Sequence, residues 1–492
     1  MLPRLWGGGK FESVDAASLE YFRGLGVDYI WYTGLIRHAT RKRDEGCRPS
    51  HPQIVKGEAG SPYAITDYYD VNPYLATNPD ARMEEFLQLV KRTHRHGLKV
   101  LMDFVPNHVA RDYHSHVPGV HSLGADDDTS VHWSPENDFF YYPGEPLRLP
   151  EPYNGAGYFE YPAKASGNSF SPSPGINDWY ETIKLNYCDF YTGTWEKMYE
   201  IVRFWAQKGV DGFRCDMVEL VPASFMKWLI ARIKGEFPHV TFIAEVYEKE
   251  KYRMYVDEVG FDLLYDKSGL YDTVRAVTCD GKSACALTWN WQFLDSLQPR
   301  MLDFLENHDE QRVASDFFAG SAEAGYAALG VSLLLNTASF MLYFGQEVGE
   351  RGMDDEPFSG VNGRTSIFDW WTVASLQALY AYIHGDENGL SAHQKAVLER
   401  YSAALKLARR PAFAEGKTFD LGYCQGATFN PDRHFAFLRS DGTETWLVVA
   451  NFGSDAGITI RIPIEAADYL GTSLSTPMTL NVPERDFVAI KI

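Results

Sequence analysis

Residues Leu98-Lys99-Val100-Leu101-Met102-Asp103-Phe104-Val105-Pro106-Asn107-His108 run from an apolar stretch into a knot of polar groups. The segment 98–105 has the length and aliphatic character of a buried strand. Just before it, 83–96 carries the apolar spacing of a helix, and Gly97 stands where a helix stop is expected. A helix feeding an apolar strand is one unit of a βα repeat, and the unit recurs along most of the first 410 residues. Strands are predicted at 28–32, 98–105, 210–216, 241–246, 263–266, 302–306 and 339–344, with helices at 16–25, 83–96, 195–207, 223–237 and 322–335. Such alternation builds a parallel sheet. Taking 2–6 as a first strand gives eight, the number that closes an α/β (β/α)8 TIM barrel.

Two regions stand outside this rhythm. From 106 to 194 no period holds, and within 141–174 the turn pairs Pro143-Gly144, Asn154-Gly155 and Gly167-Asn168 crowd together. So long a stretch is implausible as a single loop. It reads as a subdomain inserted after the third strand. Beyond Pro411, short alternating strands at 434–438, 444–451 and 457–462 are separated by Asp441-Gly442 and Gly453, the pattern of an antiparallel β-sandwich. The predicted organisation is a catalytic barrel from 1–105 and 195–410, an inserted subdomain B at 106–194 and a C-terminal β domain at 411–492.

Composition narrows the function. The 492 residues are 45% hydrophobic and 23% charged, the balance of a soluble globular chain. With 46 basic and 66 acidic residues the net charge is −20, which repels phosphate backbones and anionic lipid. Neither nucleic acid nor membrane is expected as a partner. Aromatic residues make up 14% of the chain, with 12 Trp and 29 Tyr. Rings fill cores, and they also suit a neutral sugar ligand; composition leaves both readings open. Six cysteines without a C-x-x-C pair read as free thiols in a reducing compartment. The apolar run 331–344 is interrupted by Asn336, Thr337 and Ser339 and is too short to cross a bilayer. No cationic leader with an apolar run opens the sequence, so a cytoplasmic monomer or homo-oligomer is expected.

Four predicted strands finish in polar clusters. The third ends Asp103-Phe104-Val105-Pro106-Asn107-His108, the fourth Gly212-Phe213-Arg214-Cys215-Asp216, the fifth Ala244-Glu245-Val246 and the seventh Glu306-Asn307-His308-Asp309. In a βα barrel the C-terminal strand ends meet at one face, where active sites of this fold sit. Charge at the end of an apolar strand is costly to bury without a purpose. Two chemistries use these residue types. A metal hydrolase wants closely spaced ligands, but the candidate pair His94 and His96 lies at a helix end, where cations favour the dipole. Glycoside hydrolysis wants two carboxyl groups flanking one bond, and Asp216 and Glu245 on neighbouring strands supply them. Cys215, by strand alternation, points away from Asp216 into packing.

In order and spacing, the four clusters resemble the short motifs of the α-amylase family, glycoside hydrolase family 13. The likeness extends over the barrel, the insertion and the C-terminal β domain. It implies a nucleophile in Asp216, a general acid/base in Glu245 and a sugar-binding carboxylate in Asp309. It further implies that His108 and His308 bond the hydroxyls of the sugar being cleaved, and that Tyr63 is a platform beneath its ring. Arg214 is expected to hold Asp216 ionised, since an adjacent guanidinium depresses a carboxyl pKa. Asp103 and Asn107 support the site or touch substrate. Gly345-Gln346-Glu347-Val348-Gly349-Glu350 resembles the family's eighth-strand end, which shapes a loop.

The sequence also departs from the family. Glu219-Leu220 replaces the Lys-His that ends the fourth motif in many α-amylases. The segment Thr182-Ile183-Lys184-Leu185-Asn186 resembles the cyclomaltodextrinase and neopullulanase group. Many α-amylases hold Ca²⁺ between barrel and insertion, through the asparagine matched by Asn107. Lys184 stands here in place of an aspartate ligand, and an ammonium repels the cation. Its compact charge is expected to pair with Asn107 and pin the insertion without metal. No cofactor is required, and calcium elsewhere stays open. The implied activity is retaining hydrolysis of α-1,4 bonds in maltodextrins or related α-glucans. A transglycosylase or trehalose-forming isomerase of the same family, and more remotely a non-catalytic sugar-binding relative, are the alternatives.

Overall fold

The computed structural model describes residues 1–43, 47–454, 457–470 and 478–492. Among these, seven strands pair in one parallel sheet, in the order Tyr29–Tyr32, Lys99–Phe104, Gly212–Cys215, Thr241–Ala244, Leu263–Tyr265, Met301–Phe304 and Ser339–Met341. Each lies where the sequence predicts a strand. The pleat alternates their residues between two sides. Leu101, Ile243, Tyr265 and Leu302 turn into one cluster at the barrel's centre. Val100, Met102, Phe104, Phe213, Cys215, Phe242 and Ala244 turn outward against the helices. Cys215 is therefore packing, as alternation requires.

The expected first strand at 2–6 is not formed. Pro3–Leu5 make a 3-10 turn instead, with proline at its start. Pro3 has no N–H to give a ladder, and its fixed φ suits the first position of a helical turn. The main chain of Met1 bonds Trp31 and Thr33, and the chain then turns away. The architecture is that of a TIM barrel, with the strands 29–32 and 339–341 at the two edges of the sheet.

The helices Ala16–Gly24, Arg82–Arg95, Gly193–Gln207, Ala223–Glu236 and Tyr326–Leu334 follow the predicted periods. Asp15 caps the first, accepting from Ser18 N at 3.0 Å. Four helices not read from the sequence complete the layer: Asp272–Cys279, Cys285–Leu294, Ala374–Ile383 and Ala392–Ala408.

Between 106 and 192 the described structure is turns and short ladders. His108–Ala110 pairs antiparallel with Thr182–Lys184, and Tyr141–Tyr142 with Ala163–Lys164. Toward the C-terminus, Lys417–Asp420, His434–Ser440, Thr445–Asn451 and Phe487–Lys491 form an antiparallel sheet, with a separate hairpin of Gly457–Ile460 and Met478–Asn481. One face of the sheet (Ala436, Leu438, Leu447, Val449) meets Ile458 and Ile460 of the hairpin, which makes the sandwich. The other face (Phe435, Phe437, Val448, Ala450) packs against the barrel helix Tyr326–Leu334. Across that seam the fully buried Arg439 donates to four carbonyls, those of Leu334, Asn336, Phe413 and Gly416, at 2.7–2.9 Å.

Candidate active site

Register brings the polar strand ends together. Asp103 lies opposite Arg214, and Arg214 opposite Ile243, on three consecutive strands. The ladder continues past the strand ends, with Asp216 N bonded to Phe104 O at 2.9 Å and Glu245 N to Cys215 O at 3.1 Å. Both carboxylates are thus set on rigid main chain rather than on a loop.

Arg214, 1% exposed, is the hub. Its Nη1 donates to Asp216 Oδ1 at 2.7 Å and lies 3.7 Å from Asp103 Oδ1. Its Nη2 is 2.6 Å from Glu245 Oε1, and its Nε bonds the Tyr265 hydroxyl at 3.3 Å. Trp31 and Tyr63 hold their rings against the guanidinium, with centroids 5.3 and 5.4 Å from its carbon. Glu245 is gripped at both oxygens. Met217 N donates to Oε2 at 2.9 Å, from a left-handed conformation with φ of 46°, and Tyr247 Oη donates to Oε1 at 3.0 Å.

On the other side, His308 Nε2 pairs with Asp309 Oδ2 at 3.0 Å and with Tyr63 Oη at 2.7 Å, its ring stacked on that of Tyr63. Tyr63 Oη also reaches Asp103 Oδ1 at 3.3 Å, whose other oxygen accepts from Trp31 Nε1 at 3.0 Å. Asp309 is held from behind by Arg364 Nε, which donates to its carbonyl at 2.7 Å. Of the residues singled out in the sequence, Asp103, Arg214, Asp216, Glu245, Tyr63, His308 and Asp309 therefore form one connected constellation.

His108, Asn107 and Lys184 form a neighbouring group. His108 Nδ1 is 3.1 Å from Asn107 Nδ2, and a main-chain bond to Tyr63 links the imidazole to the constellation. Asn107 Nδ2 donates to Gly167 O at 2.8 Å, tying the start of the insertion to its middle. The Lys184 ammonium donates to Asn107 Oδ1 and, at 2.8 Å, to Leu220 O. The expected pairing of Lys184 with Asn107 is present, and burial lowers its pKa to about 8.

Electrostatics follows from crowding. Asp103, Asp216 and Glu245 share a single guanidinium in a buried space, and burial raises all three carboxyls. Burial pushes Glu245 up to about 7; Arg214 opposes this, and the charges of Asp216 and Asp309 reinforce it. The expected depression of Asp216 is not what results. Burial raises its carboxyl, and the pull of Arg214 does not cancel the rise. Protonation of Glu245 instead removes one negative neighbour and leaves Arg214 to Asp216. At Asp309 burial also acts upward, but the charge and hydrogen bond of His308 win and hold it at about 2. His108 is driven down to about 3 by burial, with Lys184 and Lys56 adding to the effect, so its imidazole is neutral.

The pair His94 and His96 has structural partners. His94 bonds Asp211, just before the strand Gly212–Cys215 and so at the opposite end of the barrel, and His96 bonds Arg92 O. Gly345 and Gly349 flank a 3-10 turn at Gln346–Val348 with φ of 89° and 72°, the left-handed geometry that glycine allows. Three aromatic groups of the site carry no signal in the sequence, Trp31, Tyr247 and Tyr265, and Glu219, noted there only as a departure from the fourth motif, has a structural role. Trp31 and Tyr265 are next to last in predicted strands, and Tyr247 lies two residues beyond Glu245, on the same face by alternation. Glu219 accepts from Tyr247 N at 2.8 Å and Glu248 N at 3.1 Å, clamping the loop that carries Tyr247.

Residues 16–239 match the family model for the α-amylase catalytic domain. Alpha-amylase 3 of Dictyoglomus thermophilum is 24% identical over 379 residues, 72% of this chain and 64% of the relative. An alpha-1,4-glucan:maltose-1-phosphate maltosyltransferase of Cereibacter sphaeroides is 27% identical over 54% of this chain and 38% of its own length. The chain thus spans less than two thirds of these relatives. The solved structure of a noncanonic maltogenic alpha-amylase, AmyB, from Thermotoga neapolitana superposes with a TM-score of 0.63 at 23% identity, covering 100% of this chain and 95% of that one, and so shares its fold. The likeness to the α-amylase family, glycoside hydrolase family 13, holds in motifs, family model and fold alike. Among the described residues no helix is long and apolar enough to cross a membrane.

Proposed function

We propose that the chain is a retaining glycoside hydrolase that cleaves α-1,4-glucosidic bonds of maltodextrins or related α-glucans. The observation that supports this best is the Arg214 hub. It keeps company with two carboxyl groups on adjacent strands, one of which (Glu245) holds a proton up to about pH 7. Such a pair divides into acid and nucleophile. In the first step Asp216 attacks the anomeric carbon while Glu245 gives its proton to the departing glycosidic oxygen. The C–O bond to the leaving sugar breaks as the bond to Asp216 forms. In the second step Glu245, now a carboxylate, takes a proton from water, whose oxygen bonds the anomeric carbon and releases Asp216. The separation of the two carboxyl groups is then expected at about 5–5.5 Å. Asp309, with His308 and His108, would hold the hydroxyls of the distorted sugar over Tyr63.

Proton NMR of the earliest products from an α-linked maltooligosaccharide tests the reading. The α-anomer is expected first, and the β-anomer first would refute it. A second reading, transfer of the glycosyl group to a sugar acceptor, is favoured by the maltosyltransferase relative. It requires products longer than the substrate.

A further inference from the structure

The helix Cys285–Leu294 is oriented in an unusual way. Its residues Ala286, Trp289, Asn290 and Phe293 have the i, i+3, i+4, i+7 spacing that normally faces a core. Here Ala286, Trp289 and Phe293 line an open pocket of about 580 Å³ with Asn290 buried at its base, while Leu287 and Leu294 do the packing. Trp289 is 73% exposed and Phe293 43% exposed. Lys249, Thr273, Lys282 and Gln292 complete the lining, and the Lys249 ammonium lies 5.3 Å from the Phe293 ring centroid.

The floor of the pocket lies at the strand end that also carries the active site. At its floor Asn290 Nδ2 reaches Asp266 Oδ2 at 3.4 Å, and Asp266 directly follows the strand Leu263–Tyr265. Lys249 is four residues beyond Glu245, so no more than about 14 Å of main chain separates them. Glu219 fixes the intervening loop by accepting from Tyr247 N and Glu248 N.

We propose that this pocket is an outer binding site for an α-glucan chain, stacking one glucose face on Trp289 while the amide of Gln292 and the ammonium groups of Lys249 and Lys282 meet its hydroxyls. The proposal rests on the α-glucan reading above. A neutral polyhydroxylated ring offers an apolar face and a rim of hydrogen-bonding groups, which matches an exposed indole bordered by donors. The lysines alone would suit an anion. However, Lys249 already has an aromatic partner, and a net charge of −20 disfavours anionic ligands.

The test is Trp289→Ala in the full chain, with folding checked by circular dichroism. With this variant kcat/KM on soluble amylose is expected to fall roughly three- to tenfold, while that on maltotriose holds. In a glycogen-containing native gel, Asp216→Asn is expected to be retarded and Asp216→Asn/Trp289→Ala to be retarded distinctly less. Unchanged amylose kinetics and retardation would overturn the proposal, as would equal losses on both substrates. A Trp289-dependent fluorescence response to inorganic phosphate but not to maltoheptaose would replace it with an anion site. If the wild type cleaves neither glucan, the hydrolase reading fails, and the gel still judges the pocket by itself.

Discussion

Of the three arginines buried almost completely among the described residues, Arg214, Arg312 and Arg439, the first and the last have opposite surroundings. Arg214, at the ends of the barrel strands, is ringed by carboxylates and aromatic faces. Arg439, at the seam between the barrel and the C-terminal sheet, bonds neutral carbonyls. Burial acts to lower both. Glu245 and the other anions reverse this at Arg214, whose pKa rises well above the ordinary value, whereas Arg439 falls to about 9. A buried guanidinium among charges sets the protonation of its neighbours; one among dipoles holds two pieces of chain together. The first arrangement belongs to chemistry and the second to architecture.

That contrast can be broken at several points. The largest effect is expected at the hub: Arg214→Lys should lower kcat/KM by about 10²–10⁴-fold, in line with losing control of a general acid. Kinetics on a maltooligosaccharide would check it, and near-normal turnover would remove Arg214 from the centre of the argument. Arg439→Met should leave kcat per folded molecule unchanged but cost about 3–5 kcal/mol, because buried carbonyls lose their donor. Urea denaturation measures this, and an equal loss of turnover in the folded fraction would erase the distinction. Lys184→Ala should cost about 1–3 kcal/mol by freeing Asn107 Oδ1 and Leu220 O. Exhaustive chelation of the wild type should leave melting and activity unchanged, and a loss restored by Ca²⁺ would contradict the pin. The smallest effect concerns pH. Activity should fall as pH rises through about 7, when Glu245 loses its proton. Arg214, Asp216, Asp309, Tyr247 and Tyr265 face that carboxyl. The Tyr247 hydroxyl donates to it and so favours the charged form; Tyr247→Phe should move the alkaline limb of kcat/KM to higher pH. A limb that stays in place would show that Tyr247 only packs.

The constellation was legible because charge at the end of an apolar strand is rare and points to one face of the barrel. Asp103, Arg214, Asp216, Glu245 and Asp309 all follow from that rule. Tyr247 and Trp31 were not, since an aromatic residue at a strand end looks like core. At 2–6 five residues of mixed pattern do not separate a strand from a turn, and it is Pro3, with no N–H for a ladder, that decides for the turn. The helix Cys285–Leu294 was missed for a different reason. Its apolar residues lie on both the packed and the open side, so no single stripe stands out. Nor does composition reveal that three carboxylates crowd one guanidinium, which is why the rise at Asp216 came only from three dimensions.

Lys184 carries a consequence of another kind. A fastener that is a dissolved ion obeys mass action: its contribution grows and shrinks with the free ion concentration. An ammonium built into the chain is present at fixed stoichiometry from the moment the ladder His108–Ala110/Thr182–Lys184 forms. At this one contact no loading step is needed, and no competing ion can displace the Lys184 ammonium. The tie that Lys184 makes from the insertion to the barrel at Leu220 is thereby supplied by the chain itself and does not depend on the concentration of a free ion.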